Sequence, residues 1–150
     1  MGRKKRRKSR AEWTITDWED WLWKLFSRYI RLRDCIKTTG TTDYGCCVTC
    51  GREYKFGRLQ AGHFVPGRTR AILFDPRCVH AQCYRCNCKL DGAWPPYYRF
   101  MQRAYGQEVI DELVDAYGKD AELSPEWFEK SYKYYEWAVD EMSRTGELVD

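Results

Sequence analysis

Two identically spaced cysteine pairs, Cys47-Val-Thr-Cys50 and Cys83-Tyr-Arg-Cys86, are the residues whose types and separation most directly imply chemistry. Two residues between cysteines let one tight turn aim two thiolates at a single tetrahedral Zn²⁺, and a second such turn completes the shell. The chain holds eight cysteines, and all but Cys35 fall between Cys46 and Cys88. Cys46 is therefore an alternative to Cys47, and Cys78 or Cys88 an alternative to a member of the second pair. The start of the chain is basic and runs into AEWTITDWEDW rather than an apolar signal core. The cysteines accordingly read as metal ligands in a reducing compartment, not as disulfides. The pairs stand farther apart than in a compact zinc ribbon, so folded structure must fit between them.

Both histidines of the chain, His63 and His80, lie in that interval, and Asn87 directly follows Cys86. Metal-assisted phosphodiester hydrolysis needs a base to take a proton from water. It also needs ligands for a divalent cation, Mg²⁺ or Mn²⁺, on the scissile phosphate. His63 and Asn87 supply those residue types, with His80 as a further candidate. The competing reading makes each histidine a hydrogen-bonded structural residue and the whole chain a non-catalytic zinc module that binds DNA or a protein partner.

Charge is segregated along the chain. Residues 1–10 carry 7 basic and no acidic side chains, residues 11–43 carry 5 and 6, residues 44–104 carry 10 and 3, and residues 105–150 carry 4 and 13. A polyanion would be drawn to the N-terminal run and the central segment and repelled by the C-terminal one. The expected phosphate contacts are Arg3, Lys4, Lys5, Arg6, Arg7 and Lys8 in the run, and Arg68, Arg70, Arg77, Arg85 and Lys89 in the centre. No uncharged stretch approaches the ~18 residues of a membrane span, so a soluble, unsecreted protein is expected.

These residues need elements to position them. Residues 1–12 read as a disordered basic arm. Thr16-Asp17-Trp18-Glu19 resembles a capping box, and Trp18, Trp21, Leu22, Leu25, Tyr29, Leu32 and Ile36 recur at helical spacing until Gly40, which places an N-terminal helix in 13–40. Lys24, Arg28 and Arg31 line one face of it. Residues 41–104 form the expected core, with turns and short strands that include the apolar piece Ala71-Ile72-Leu73-Phe74. A helix is expected from Pro96 through Tyr105. The region 105–150 holds a helix at Gln107 to Tyr117, ended by Gly118, and a last one after the Ser124-Pro125 cap through about Arg144.

The run Cys47-Val-Thr-Cys50-Gly51, then Ala61-Gly62-His63-Phe64, then FDPRCVHAQCYRCN from Phe74 to Asn87, resembles the NinG/Rap recombination endonucleases of lambdoid phages. The resemblance continues through YYRFMQRAYGQEVIDEL and covers roughly residues 18–142. It implies an α+β, mostly helical protein with a zinc-stabilised HNH-like ββα-metal (treble-clef-like) core flanked by long helices. It further implies cleavage of branched DNA such as Holliday junctions during phage recombination, in the cytoplasm of the infected bacterial host. On the same resemblance, Cys47, Cys50, Cys83 and Cys86 match the structural zinc ligands, His63 the general base and Asn87 a ligand of the catalytic cation. Cys78 stands where the family of HNH enzymes usually has its middle asparagine, and Gly62 where many have a metal-binding aspartate. The second cation ligand is left among His80, Asp75 and Asp91. Asp91-Gly92-Ala93 replaces the family's usual SGN.

Resolution of a four-way junction takes two nicks on opposed strands, which motivates a homodimer with two-fold related sites. Trp18, Trp21, Trp23, Phe26, Trp127, Tyr134, Tyr135 and Trp137 on the first and last helices form the expected contact. The alternative is a monomer that folds those helices onto each other.

Overall fold

A computed structural model describes residues 6–149 of the 150. The basic residues Arg3, Lys4 and Lys5 lie outside the described residues. From Arg6 to Ser9 the N-terminal segment is exposed and without regular secondary structure; a 3-10 turn at Arg10–Glu12 follows it, and Arg6, Lys8 and Arg10 pair with Glu12, Asp17 and Glu129. The Arg10 guanidinium also lies over Trp21, 4.8 Å from the ring centroid.

Helix α1 spans Ile15–Thr39. Its cap is Thr14 rather than Thr16: the Thr14 hydroxyl accepts from Asp17 N at 3.3 Å, and the Asp17 carboxylate accepts from Thr14 N at 2.8 Å. This reciprocal box satisfies two otherwise orphaned donors. Gly40, left-handed at φ 75°, ends the helix. Trp18, Leu22, Phe26 and Ile30 form its buried stripe, one turn apart, so that each successive ring or branch lands on the same face.

Two antiparallel hairpins follow. Strands β1 (Tyr44–Cys46) and β2 (Glu53–Lys55) pair across the first cysteine turn. Strands β3 (Leu59–His63) and β4 (Val79–Cys83) pair with Leu59 opposite Cys83 and His63 opposite Val79. The outer edge of β4 is closed by α1: Arg33 donates to Pro76 O (2.7 Å) and Val79 O (2.8 Å), and Asp34 accepts from Ala81 N (2.7 Å). The buried Arg33–Asp34 pair is thus also a hydrogen-bonded splice between helix and strand, which is how two adjacent charges are tolerated there.

The piece Ala71 to Phe74 is not a strand. It forms a 3-10 turn at Arg70–Ile72 that drives Ile72, Leu73 and Phe74 into the core, because the edge it would pair with is already taken by Arg33 and Asp34. After Cys83 comes a π-helical turn, Arg85–Lys89, then α2 (Trp94–Tyr105), α3 (Gln107–Asp115) and α4 (Pro125–Thr145). Ser124 caps α4 by accepting from Trp127 N at 3.1 Å. The whole is α+β with small antiparallel sheets.

Helix α4 packs along α1. Trp21 stacks on Tyr132 (centroids 4.0 Å apart), Trp18 on Phe128 and Phe26 against Tyr135. Much of the aromatic set expected at a dimer contact is therefore spent inside one chain. Trp127, Tyr134 and Trp137 remain at 37%, 43% and 50% exposure. No helix among the described residues is long and apolar enough to cross a membrane.

Candidate metal centre and adjoining groove

The thiols of Cys47, Cys50, Cys83 and Cys86 all lie within 4.8 Å of one another, and those of Cys50 and Cys83 are 4.0 Å apart. Tetrahedral Zn²⁺ with Zn–S bonds of ~2.3 Å places its sulfurs about 3.8 Å apart, so this donor set fits the ion. The first pair comes from the turn after β1, where Gly51 at φ 74° brings the chain back; the second comes from the end of β4 and the π-helical turn. Cys86 N points at Cys83 Sγ (3.5 Å), and the Thr49 hydroxyl lies 3.2 Å from Cys47 Sγ. Burial and neighbouring thiols push Cys86 up while amide and phenol donors hold Cys83 down. Four thiols this close ionise together only around a cation.

The other cysteines are thereby assigned. Cys35 and Cys78 are fully buried core residues, each pushed up to about 11 by burial. Cys78, in the place of the HNH middle asparagine, packs in the main core and accepts weakly from Val65 N. Exposed Cys88 donates to Gln60 Oε1. The folded structure between the pairs consists of β2, β3, the 64–78 segment and β4.

His63 ends β3 with its ring stacked on Trp23 of α1, centroids 5.0 Å apart and planes 16° from parallel. Its Nε2 is 3.1 Å from Leu73 O. A carbonyl only accepts, so Nε2 carries the proton and Nδ1 keeps a lone pair. Burial holds this imidazole below its ordinary 6.5, against the pull of the Leu73 carbonyl and with help from Arg68, so it is neutral at pH 7.

Asn87 sits in the π-helical turn and donates to Gln60 Oε1 at 2.8 Å. It opens into a groove of about 340 Å³ along β3, lined also by Trp23, Ser27, Arg31, Leu59 and Ala61. Trp23 connects the two candidate residues: one face stacks on His63, and the ring walls the groove. A second hollow of about 430 Å³ shares Gln60 and is lined by Tyr54, Arg58, Cys83, Tyr84 and Arg85.

His80 does not belong to this site. It is 2% exposed, its Nδ1 is 3.1 Å from Tyr97 OH and its Nε2 2.8 Å from Tyr105 OH, so both ring nitrogens are engaged. Burial pushes it down to about 3. Among the nominated second cation ligands, Asp75 is held by Arg77 at 2.9 Å and lines a separate hollow beside Trp127, and Asp91 is exposed in the turn before α2.

Of the nominated phosphate contacts, Arg70 bonds Glu19 (2.6 Å) and Asp120 (2.8 Å), and Arg77 bonds Asp75 and Glu112. Their hydrogen-bonded carboxylates raise both guanidinium pKa values. These two arginines brace the fold. Arg68, φ 47°, lies over the Trp23 ring beside the groove, and Arg85 and Lys89 are exposed near the metal centre. Arg58 and Gln60 lie there too; nothing in their local sequence marks them, because they join the site only through the β3–β4 register.

The fold and donor set define a small α+β protein with a four-cysteine cluster, able to hold a metal, beside a β-hairpin. Within that class, residues 2–144 match the family model described as "NinG: Bacteriophage Lambda NinG protein", and the chain belongs to this family. Similar curated relatives are "Protein ninG" of Escherichia phage 933W, 29% identical over 99 residues, and of Escherichia phage lambda, 27% identical over 99 residues. The alignments cover 63% of this chain and 40% and 39% of those relatives, so only a minor part of their length is matched. No solved structure matches.

Proposed function

We propose that the chain is a metal-dependent, structure-specific DNA endonuclease that cleaves branched DNA such as Holliday junctions in phage recombination. The single observation that carries this reading is His63: a neutral imidazole with a lone pair on Nδ1, held by Leu73 O and stacked on Trp23, the ring that also walls the Asn87 groove with Arg31 and lies under Arg68. A purely structural zinc module has no use for a base held ready beside cationic side chains. The Cys₄ zinc fixes the end of β4 and the π-helical turn, and thereby Asn87. The arginines take up the phosphate backbone, which positions the duplex without reading its sequence. A catalytic Mg²⁺ or Mn²⁺ supplies charge neutralisation at the scissile phosphate when bound, with Asn87 as one ligand. His63 Nδ1 takes the proton of the attacking water, and the Nε2–H to Leu73 O keeps the ring aimed while it does so.

The test is nicking of a four-way junction with Mg²⁺ or Mn²⁺. His63→Ala should lose cleavage by ~10²-fold or more, the scale of a general base, while binding the junction nearly as well. Wild-type cleavage should persist below pH 6.5, because burial delays protonation of His63. A wild-type-rate His63→Ala enzyme overturns the base assignment, and junction binding without any nicking favours the non-catalytic zinc module. Paired nicks call for a homodimer whose contact is the aromatic surface α4 leaves exposed, Trp127, Tyr134 and Trp137. Light scattering at micromolar concentration should find two chains, and a strict monomer removes that part.

A further inference from the structure

Gly62 lies against two side-chain amides that leave no room for a side chain at that position. A Cβ there would overlap Gln82 Oε1 and lie 2.8 Å from Asn87 Oδ1. Gln82, opposite Gln60 on β4, is fully buried, and its Oε1 is the one buried side-chain oxygen without a hydrogen-bond partner among the described residues. The orientation of this amide is fixed. Its Nε2 donates to Gly92 O at 2.9 Å, and a carbonyl accepts only, so Oε1 must face Gly62. Asn87 donates through Nδ2 to Gln60 Oε1, which also accepts from the Cys88 thiol, and in this arrangement Asn87 Oδ1 faces the same point. Two amide oxygens, both acceptors, thus converge with no donor between them. An uncompensated buried carbonyl destabilises the fold, so a hard positive centre is the natural complement.

We propose that Gln82 Oε1 and Asn87 Oδ1 together ligate a divalent cation over Gly62, the amide oxygen of the β4 glutamine supplying the donor that position 62 lacks. The assignment rests on the nuclease reading for its role in catalysis but not for its binding. It accounts for three features at once: the orphaned oxygen, the locked orientation of the Gln82 amide with Asn87 Oδ1 beside it, and the requirement for glycine at 62. Neutral amide oxygens make a weak site, which the phosphate oxygens of bound DNA would complete.

The probe is Mn²⁺, titrated into the zinc-loaded protein without DNA and followed by electron paramagnetic resonance, with zinc content and circular dichroism confirming that each variant is folded. Gln82→Met, similar in length but lacking the oxygen, should weaken Mn²⁺ binding at least tenfold. Asn87→Asp retains the oxygen and adds charge, and the Gln60 amide can turn to donate to it; this variant should tighten binding at least fivefold. If neither substitution moves the Mn²⁺ titration, the two oxygens hold a water and the proposal falls. The two readings separate cleanly. Mn²⁺ binding that depends on Gln82, in a protein that cuts no junction, keeps the cation site and removes the nuclease. His63-dependent cutting with Mn²⁺ binding indifferent to Gln82 and Asn87 does the reverse.

Discussion

At the Leu59–Cys83 end of the β3–β4 hairpin the buried neighbours are Cys47, Cys83, Cys86 and Ala93, with Tyr54 alongside, a cluster with little apolar surface of its own. At the His63–Val79 end, four residues away, the neighbours are Phe64, Phe74, Val79, Phe26 and Trp23, continuous with the α1–α4 core. One hairpin therefore ends, on one side, at a four-cysteine cluster able to hold a metal and, on the other, in aromatic packing. The candidate base stands at the packed end, and the candidate cation ligand follows the cysteine end. Chemistry that needs both depends on the short stretch of strand between them keeping its register. A one-residue slip would exchange the faces that Gly62 and His63 present.

The largest effect should come from the cysteine end. Cys83→Ser, or strong chelator, should release one zinc per chain and cost on the order of 10 kcal/mol of local folding free energy, since structural zinc supplies that much in small sites. Metal analysis by mass together with amide exchange checks it: exchange should rise across residues 44–58 and 82–92 while α1 and α4 remain protected. Uniform loss of protection would show that the two ends fold as one unit, and a metal-free protein stable in chelator would remove the zinc.

The packed end should fail differently. Phe128, fully buried between Trp18 and Phe74, leaves a cavity on Phe128→Ala worth about 3–5 kcal/mol. Here the denaturation midpoint should drop for the whole chain while zinc content stays at wild type. Zinc loss in the folded Phe128→Ala protein would mean that packing, not the cysteines, sets the geometry of the metal centre.

Much of this contrast is legible in the amino-acid sequence, and unevenly so. The four-cysteine set is, because each two-residue spacing is a local turn that brings one pair of thiols together, although the meeting of the two pairs is left to the fold. The helices are, since Gly40 and Ser124-Pro125 act within one turn of themselves. The cap of α1 is misplaced by two residues because Thr14 and Thr16 offer the same hydroxyl, and only the reach of Asp17 decides between them. Residues Ala71 to Phe74 look like a strand because apolar runs carry no period, and what denies them a partner is Arg33 on α1, more than thirty positions earlier. Arg70 and Arg77 look like phosphate contacts because their carboxylate partners Glu19, Glu112 and Asp120 are remote in sequence. Gln82 belongs to no motif; it stands out only once the register sets it over Gly62.

His80 lies between the two ends and sharpens the comparison through pH. Its unfolded value is ~6.5 and its folded value about 3, so below pH 6.5 the unfolded chain takes up a proton that the native one refuses. Stability from this group is present above 6.5 and is lost as pH falls toward 3, amounting to about 2 kcal/mol by pH 5. His80→Gln removes the titration, so urea midpoints of the variant should depend less on pH between 7 and 5 than those of the wild type. Protonation of the thiolates also destabilises at acid pH, but it does so equally in both proteins and cancels in the difference. Parallel curves would mean that His80 is already protonated in the fold.

The smallest effect belongs to Arg10 of the N-terminal segment, which is attached to α1 and α4 by the exposed ion pairs Lys8–Asp17 and Arg10–Glu129 and by the Arg10 guanidinium over Trp21. Exposed pairs contribute about 0–1 kcal/mol and exposed cation–π contacts about 0.5–1 kcal/mol, so Arg10→Ala should lower stability by no more than about 1 kcal/mol. The two contributions differ in their response to salt. Screening at high ionic strength weakens the ion pair far more than the ring contact, so part of the Arg10→Ala deficit should vanish in 1 M salt and part should remain. Arg10→Lys separates them further: it keeps a charge for Glu129 and gives up the planar guanidinium over Trp21. A deficit that disappears entirely with salt assigns the attachment to charge alone, in which case a polyanion competing for Arg10 would free the segment. A deficit that persists in salt and is not restored by Arg10→Lys assigns it to the indole face, and the segment then stays on the α1–α4 surface when the rest of its charge is engaged.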